Sequence, residues 1–202
     1  MAKIIIGFII IGALATATVV GFSFSGKNGD TQKSALPAYL RSLGYEADVK
    51  YATFRGHQSQ NISAEKDKAN VLVQIVSGVK DDAAPEILEQ LRAPVLDAQQ
   101  DIVMFNPYIA EEVTLRVPEE LKPVKKETKI QGASIGYYLT HANAIFSMMV
   151  YSEPEVRYKG LFATYFCPSN NTAYKTEIYY PAEEEFDEEK ALNLFSSLYC
   201  SG

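Results

Sequence analysis

The segment from Ala173 to Tyr180 reads AYKTEIYY and has the clearest structural pattern in the chain. Large or β-branched side chains alternate with charged ones: Tyr174, Thr176, Ile178 and Tyr180 against Lys175 and Glu177. A period of two is typical of an antiparallel strand that packs one face on a core and leaves the other in solvent. The segment therefore predicts a strand in a sheet that is covered on one face.

The residues on either side of this strand predict more strands and a helix. Further strands are expected at Ile135–Thr140, Ala144–Tyr151 and Val156–Cys167, where β-branched and aromatic residues are concentrated. A final helix is expected from Asp187, because the following apolar residues recur at helical spacing. These residues are Ala191, Leu194, Phe195 and Leu198. This apolar stripe is expected to cover the sheet.

The first half of the domain predicts two more strands with a long connection. Val49–Phe54 and Val71–Val79 are rich in β-branched and aromatic residues, which favour strands. Arg55–Asn70 between them is almost wholly polar and predicts a loop. Loops of this length in compact domains are usually either functional or disordered.

Two helices are also expected in this half. Leu36–Leu43 has apolar residues at helical spacing, with Ser34 as a candidate cap and Gly44 as the stop. Asp81–Gln100 has the pattern of an amphipathic helix, which Pro94 is expected to kink or split.

The middle of the chain predicts two short strands and an interruption. Ile102–Phe105 and Val113–Val117 are the expected strands. Pro118–Gly132 then breaks the pattern with two prolines and four lysines. This stretch is either a seam within the domain or a solvated crossing on its surface.

Composition places the chain among ordinary globular proteins. Hydrophobic residues make up 47% and charged residues 22%, which excludes disordered, collagen-like and multi-pass membrane classes. The net charge of -6 disfavours nucleic acid as a partner, since phosphates are repelled. Without a repeat, the pattern predicts an α+β fold with an antiparallel sheet covered by helices, in one domain at 36–202.

An apolar segment precedes this domain. Ile4–Phe24 contains 21 residues without a charge, enough for a helix to span about 30 Å of hydrocarbon. Lys3 before it favours an N-terminus that stays inside and a chain that is translocated. We therefore expect a transmembrane signal anchor at 1–25 and a flexible tether at 26–35. A cleaved signal peptide is the alternative, because Ala13-Leu14-Ala15 and Ala15-Thr16-Ala17 both fit the small-x-small cleavage rule. The protein would then be secreted.

An apolar N-terminal helix with a cysteine pair near the C-terminus is also a feature of type IV pilins, to which this chain is similar in those two respects. Pilins carry a glutamate five residues into the mature helix. Counted from Phe8, that position is Gly12 in this chain. The chain therefore departs from the pilin pattern, and no family is assigned.

One motif resembles a catalytic element. Gly132-Ala133-Ser134-Ile135-Gly136 matches G-x-S-x-G, in which a sharp strand-to-helix turn exposes a nucleophilic serine. His141 lies seven residues further on and is the candidate base. However, the acid and histidine do not follow in the order that the hydrolase fold requires, so a serine in a turn is the favoured interpretation.

The only two cysteines, Cys167 and Cys200, are expected to form a structural disulfide. Both lie on the translocated side of the expected anchor, where such bonds form. The bond would hold the end of the last helix on the sheet. Two buried free thiols are the alternative.

Other polar groups give weaker signals. Asn61 and Asn170 each begin an N-x-S/T glycosylation acceptor pattern. The acidic residues between Glu183 and Glu189 are explained by a helix start, where exposed amide groups stabilise carboxylates. Neither histidine has metal-ligand spacing, and no metal or cofactor is expected.

Tyrosines are concentrated in the last third of the chain. Nine of the thirteen lie between Tyr137 and Tyr199. They are either ordinary strand residues or a stacking platform for a sugar or a peptide.

These observations favour a membrane-anchored, extracytoplasmic domain that binds an unknown ligand, such as another envelope or surface protein, rather than an enzyme. A small serine hydrolase that uses Ser134 and His141 is one alternative. An envelope or pilus-like structural subunit is the other.

Overall fold

The computed structural model describes residues 34–97, 102–106, 110–115, 118–142 and 158–201. In chain order, the described elements are α1 (Leu36–Ser42), β1 (Glu46–Phe54), β2 (His57–Lys66), β3 (Ala69–Ser77), α2 (Ala84–Asp97), β4 (Ile102–Asn106), β5 (Glu111–Leu115), β6 (Val124–Ile130), β7 (Ala133–Ala142), β8 (Tyr158–Cys167), β9 (Thr172–Pro181) and α3 (Glu188–Leu198). Short 3-10 turns lie at Glu119–Leu121 and Pro168–Asn170.

Seven strands form one antiparallel sheet in the order β1-β2-β3-β9-β8-β7-β6. Two meanders, β1-β2-β3 and β6-β7-β8-β9, meet where β3 pairs with β9. Strands β4 and β5 form a separate hairpin. The predicted α+β class with an antiparallel sheet covered by helices is confirmed for the described residues. Among these residues, β1 and β6 are the outer strands of the sheet.

The prediction of a loop at Arg55–Asn70 is wrong, because most of this segment is β2. Ile62 and Ala64 are buried on one face of the strand, whereas Ser63 and Glu65 on the other face are exposed. Two-residue turns with positive φ connect β2 to its neighbours, at Arg55–Gly56 and Asp67–Lys68. Two apolar residues in ten are too few to indicate a strand by periodicity, whereas the backbones of β1 and β3 satisfy the amide groups of β2 whatever its side chains are.

The sheet is covered on both faces. On the first face, Leu36 and Leu40 of α1 and Ala191, Phe195 and Leu198 of α3 pack against alternate residues of the strands, and these helix residues are fully buried. On the second face, Ile87 and Leu91 of α2 pack against Val76 and Ala173, and Val95 packs on Tyr138 and Phe162. The sequence predicted that helices cover one face of the sheet at the last strand. In the structure, α2 also covers part of the second face.

The C-terminal end of α1 agrees with the predicted stop at Gly44, whereas its N-cap is Ala35, one residue after the candidate Ser34. Ser34 Oγ accepts a hydrogen bond from the Leu36 N–H at 3.0 Å. At the other end of α1, Gly44 has φ +86, and Gly44 and Tyr45 donate to the carbonyls of Arg41 and Leu40. This is the Schellman pattern, which needs a left-handed residue at that position.

The last helix begins at its predicted residue. The Asp187 carboxylate caps α3 by accepting a hydrogen bond from the Lys190 N–H at 2.9 Å. Helix α2 runs from Ala84 to Asp97 and is not split at Pro94.

The segment 118–132 was predicted to be a seam or a surface crossing. Its second half is β6, which is paired with β7 in the main sheet. Sequence alone did not indicate this strand, because four of the seven residues in VKKETKI are charged.

Some predicted elements lie outside the described residues. These are the anchor and most of the tether at 1–33, the strand Ala144–Tyr151 and the start of the strand Val156–Cys167. In the described part of the chain, none of the helices combines the length and apolar character that crossing a membrane requires.

Candidate functional site

The outer edge of β1 carries backbone hydrogen-bonding groups that no strand in the described part of the chain pairs with. The two-residue turn Arg55–Gly56 makes Phe54 and His57 a hydrogen-bonded pair, so the even-numbered residues of β1 bond to β2. The odd-numbered residues therefore direct their N–H and C=O groups outward. The Arg41 Nη2 atom donates to the Ala47 carbonyl at 2.7 Å from outside the sheet, which agrees with this assignment.

Beyond Ala47, the outward positions are Val49, Tyr51 and Thr53. On this outer side of β1, opposite to β2, no described strand pairs with the sheet. Their side chains lie on the face that α1 and α3 cover, where Val49 packs against the core and Tyr51 is 47% exposed. On the opposite face, the exposed side chains of Asp48 and Lys50 flank this edge. An extended chain that paired here would meet an apolar side and a charged side.

The other edge of the sheet is different in character. The turn Gln131–Gly132 makes Ile130 and Ala133 a hydrogen-bonded pair, so the outward residues of β6 are Lys125, Glu127 and Lys129. All three side chains are exposed. Charged residues, and lysine above all, are the usual means by which proteins block pairing at an edge strand. Thus β6 is protected against strand addition, whereas β1 has an uncharged residue at every outward position.

A shallow hollow of about 320 Å³ lies on the charged side of β1 and β2. Its lining includes three carboxylates, one hydroxyl and one amide: Glu46, Asp48, Glu65, Ser63 and Asn70. Glu46 and Glu65 are direct cross-strand partners, an arrangement of like charges that destabilises a sheet. The hollow therefore attracts positive charge. Among the described residues, no group of three or more His, Cys, Asp or Glu side chains is placed to hold a metal ion.

The G-x-S-x-G motif is part of a hairpin and not of a strand-to-helix elbow. Gly132 occupies the second position of the turn between β6 and β7 with φ +85, and the exposed Ser134 is the second residue of β7. His141 lies on the same strand seven residues later. An odd separation places the two side chains on opposite faces, about 23 Å apart along the strand. The structure does not bring this predicted dyad together, and the arrangement gives no support to a hydrolase that uses these two residues.

His141 is half-buried at the end of β7. Its Nδ1 atom is buried without a hydrogen-bond partner among the described residues. Burial lowers the pKa of this imidazole, a backbone hydrogen bond at Leu121 opposes the shift, and the Lys159 charge adds to it. A neutral imidazole at neutral pH follows from this balance.

The predicted disulfide between Cys167 and Cys200 is present. The two Cα atoms are 5.9 Å apart, and the bond joins the end of β8 to the residues after α3. Aromatic rings surround it: Tyr165 stacks on Tyr174 with centroids 5.1 Å apart and contacts Tyr199 at 4.9 Å. The tyrosines of this region that the structure describes are all buried or half-buried. They form core, which gives no support to a stacking platform.

The two glycosylation patterns lie in different settings. Asn61 is half-buried in the middle of β2, between Lys50 of β1 and Gln74 of β3. Asn170 is half-buried in the turn before β9, where its Nδ2 atom donates to the Tyr174 hydroxyl at 3.0 Å.

One residue of the acidic run has a specific role. The Glu188 carboxylate accepts hydrogen bonds from Lys126 Nζ and from the Tyr137 hydroxyl, each at 2.6 Å. These contacts fasten the start of α3 to β6 and β7. Asp187 and Glu189 agree with the predicted helix start, whereas Glu183, Glu184 and Glu185 lie in the connection between β9 and the helix cap.

Sequence reasoning missed the open edge at β1. The signal that could have found it is the contrast between the outward residues of two strands, which are uncharged in β1 and charged in β6. This difference in charge has meaning only when both strands are known to be the outermost strands of the sheet.

Comparisons of this chain with protein-family models, with curated proteins and with solved structures found no match.

Proposed function

We propose that the chain is a membrane-anchored, extracytoplasmic interaction domain that binds a protein partner by strand addition to β1. The observation that carries the proposal is the row of outward backbone groups at Val49, Tyr51 and Thr53, three outward positions with uncharged side chains. In strand addition, main-chain hydrogen bonds supply affinity and alternate side chains supply specificity.

Two features support the membrane and extracytoplasmic parts of the proposal. The uncharged segment Ile4–Phe24 has the length and flanking charge of a signal anchor. The disulfide between Cys167 and Cys200 is a kind of bond that persists in oxidising compartments and is rare in the cytosol.

Fractionation tests the location. The protein should sediment with membranes and resist carbonate extraction, and protease added from outside should digest most of the chain. A mature N-terminus near Thr16 or Thr18 would instead establish cleavage and a secreted domain.

Site-specific photo-crosslinking tests the binding edge. A photoreactive residue in place of Tyr51 in the full-length, membrane-bound chain should yield a discrete protein adduct. Val49→Pro removes one outward N–H without touching the bonds between β1 and β2, so it should abolish the adduct. Glu127→Pro makes the matching change on the outer edge of β6 and should leave the adduct unchanged. An adduct that survives Val49→Pro, or the lack of any adduct, would rule out this edge as the binding site.

A further inference from the structure

We infer that the partner of the β1 edge is a second copy of this chain, paired antiparallel about a two-fold axis at Val49. This inference rests on the proposed function and assigns its partner. It follows from the backbone groups of β1 and from the charges beside them.

Backbone geometry limits the ways in which two β1 strands can pair. Residues whose N–H and C=O groups point outward must face residues of the same kind in the other copy. A two-fold axis then keeps the helix-covered faces of both sheets on the same side. The axis can lie at any residue of the strand, and the side chains decide among these registers.

Like charges face each other in three of the central registers, and only in the Asp48 register are they partly compensated. An axis at Ala47 places Glu46 of each copy opposite Asp48 of the other. Axes at Asp48 and at Lys50 place each of those residues opposite its own copy. The Asp48 axis also places Glu46 opposite Lys50 in two complementary pairs, so its attraction is partly offset by the repulsion between the two Asp48 side chains. Like charges directly opposite each other destabilise an antiparallel pair.

An axis at Val49 has the opposite effect. Asp48 of each copy then lies directly opposite Lys50 of the other, which makes two complementary charge pairs on the face away from α1. Both side chains are exposed in the single chain and free to reach across. An axis at Tyr51 brings no charges together, since Lys50 then faces Ala52.

The apolar side also fits the Val49 register. Tyr51 of each copy lies opposite Ala47 of the other, so a ring that is 47% exposed in the single chain packs over a small side chain. In this register, Val49 exchanges backbone hydrogen bonds with Val49 of the other copy, and Ala47 exchanges them with Tyr51 of the other copy. The Ala47 carbonyl already accepts one bond from Arg41, and a carbonyl oxygen has a second lone pair for the new one.

Disulfide trapping in the full-length, membrane-bound chain tests the inference. The two native cysteines are already joined in a disulfide and do not compete for a new one. A cysteine introduced at position 49 can therefore form a disulfide with the same residue of a second chain. Val49→Cys should give a covalent dimer under mild oxidation. Glu127→Cys, on the outward edge of β6, is the matched control for random collision and should give little. Equal dimer yields from the two variants would overturn the inference.

Charge reversal tests the register. In the Val49→Cys background, Asp48→Lys should lower the dimer yield about tenfold, because two attractive cross-strand pairs become repulsive. Adding Lys50→Asp should restore the yield, since the pairs are then reversed but complementary. Unchanged thermal unfolding of each variant shows that the fold is intact. A double variant that folds but does not recover would overturn the pairing.

The two proposals fail in different ways. An adduct from position 51 that depends on Val49 but contains a different protein would retain the binding edge and overturn self-pairing. If no variant gives an adduct of either kind, both proposals fail.

Discussion

At the scale of single residues, Glu188 is the side chain with the clearest electrostatic role. The hydrogen bond from Lys126 lowers the pKa of its carboxyl most, and the bond from Tyr137 lowers it further. Burial and the same contact raise the pKa of the Tyr137 hydroxyl. The three residues fasten α3 to β6 and β7, at the corner of the sheet opposite β1.

A lowered carboxyl pKa predicts how stability depends on pH. The contribution of Glu188 is present above the pKa of the unfolded chain, near 4.5, and is lost as the pH falls through the lower pKa of the folded chain. Glu188→Gln should therefore reduce stability at pH 7, and its deficit should shrink below about pH 4.5. Tyr137→Phe should cost about 1 kcal/mol at pH 7.

Denaturant unfolding of the detergent-solubilised full chain at several pH values checks this prediction. Glu189→Gln removes a carboxylate from the same first turn but leaves both contacts of Glu188 in place, so its deficit at pH 7 should be the smaller of the two. A deficit for Glu188→Gln that stays constant between pH 7 and pH 3 would contradict the assigned role.

At the scale of elements, the hairpin turns set the registers of the outer strands. Gly56 and Gly132 occupy positive-φ positions in turns of two residues, whereas the corresponding position in the β2–β3 turn is Lys68 with φ +63. A side chain at such a position is strained, and glycine removes the strain.

Two opposite substitutions are predicted from this difference. Lys68→Gly should raise the free energy of unfolding by about 0.5–1 kcal/mol, because relief of left-handed strain exceeds the entropy that glycine loses on folding. Gly56→Ala should lower it by about 1 kcal/mol; no atom lies within 4 Å of the new Cβ, so backbone strain is the only cause. Thermal unfolding of both variants checks the pair, and shifts in the same direction would argue against the turn geometry.

At the scale of the whole molecule, the disulfide ties the last helix to the centre of the sheet. It closes a loop across 33 positions, between β8 and the residues after α3. Such a cross-link limits the unfolded chain more than the folded one. The chain-entropy model gives about 3–4 kcal/mol for a loop of this size.

Reduction should therefore lower the free energy of unfolding by about 3–4 kcal/mol in that model. Denaturant unfolding with and without a reductant measures the difference. Alkylation of unfolded, unreduced protein from its native compartment is the control, and neither cysteine should be labelled. Full labelling of both would contradict the bond and would weaken the case for an exported domain.

The sequence alone determined the features that depend on local periodicity and local caps. The alternation of Ala173–Tyr180, the apolar stripe after Asp187 and the Schellman glycine at Gly44 each concern neighbouring residues, and each is confirmed. The sequence also determined which two cysteines could pair, because only one pair exists, and the structure decided between a disulfide and two free thiols.

Tertiary structure alone decided which strands are outermost, since that depends on the pairing of β3 with β9, far apart in sequence. It also made a strand of the polar residues His57–Lys66, whose amide groups are satisfied by two neighbours. The need for glycine at position 160 also comes from tertiary structure, because a Cβ there would overlap the Ile178 carbonyl oxygen on the neighbouring strand β9. Pairing between distant segments leaves no periodic signal in the chain, so the β1 edge could be recognised only after the sheet was assembled.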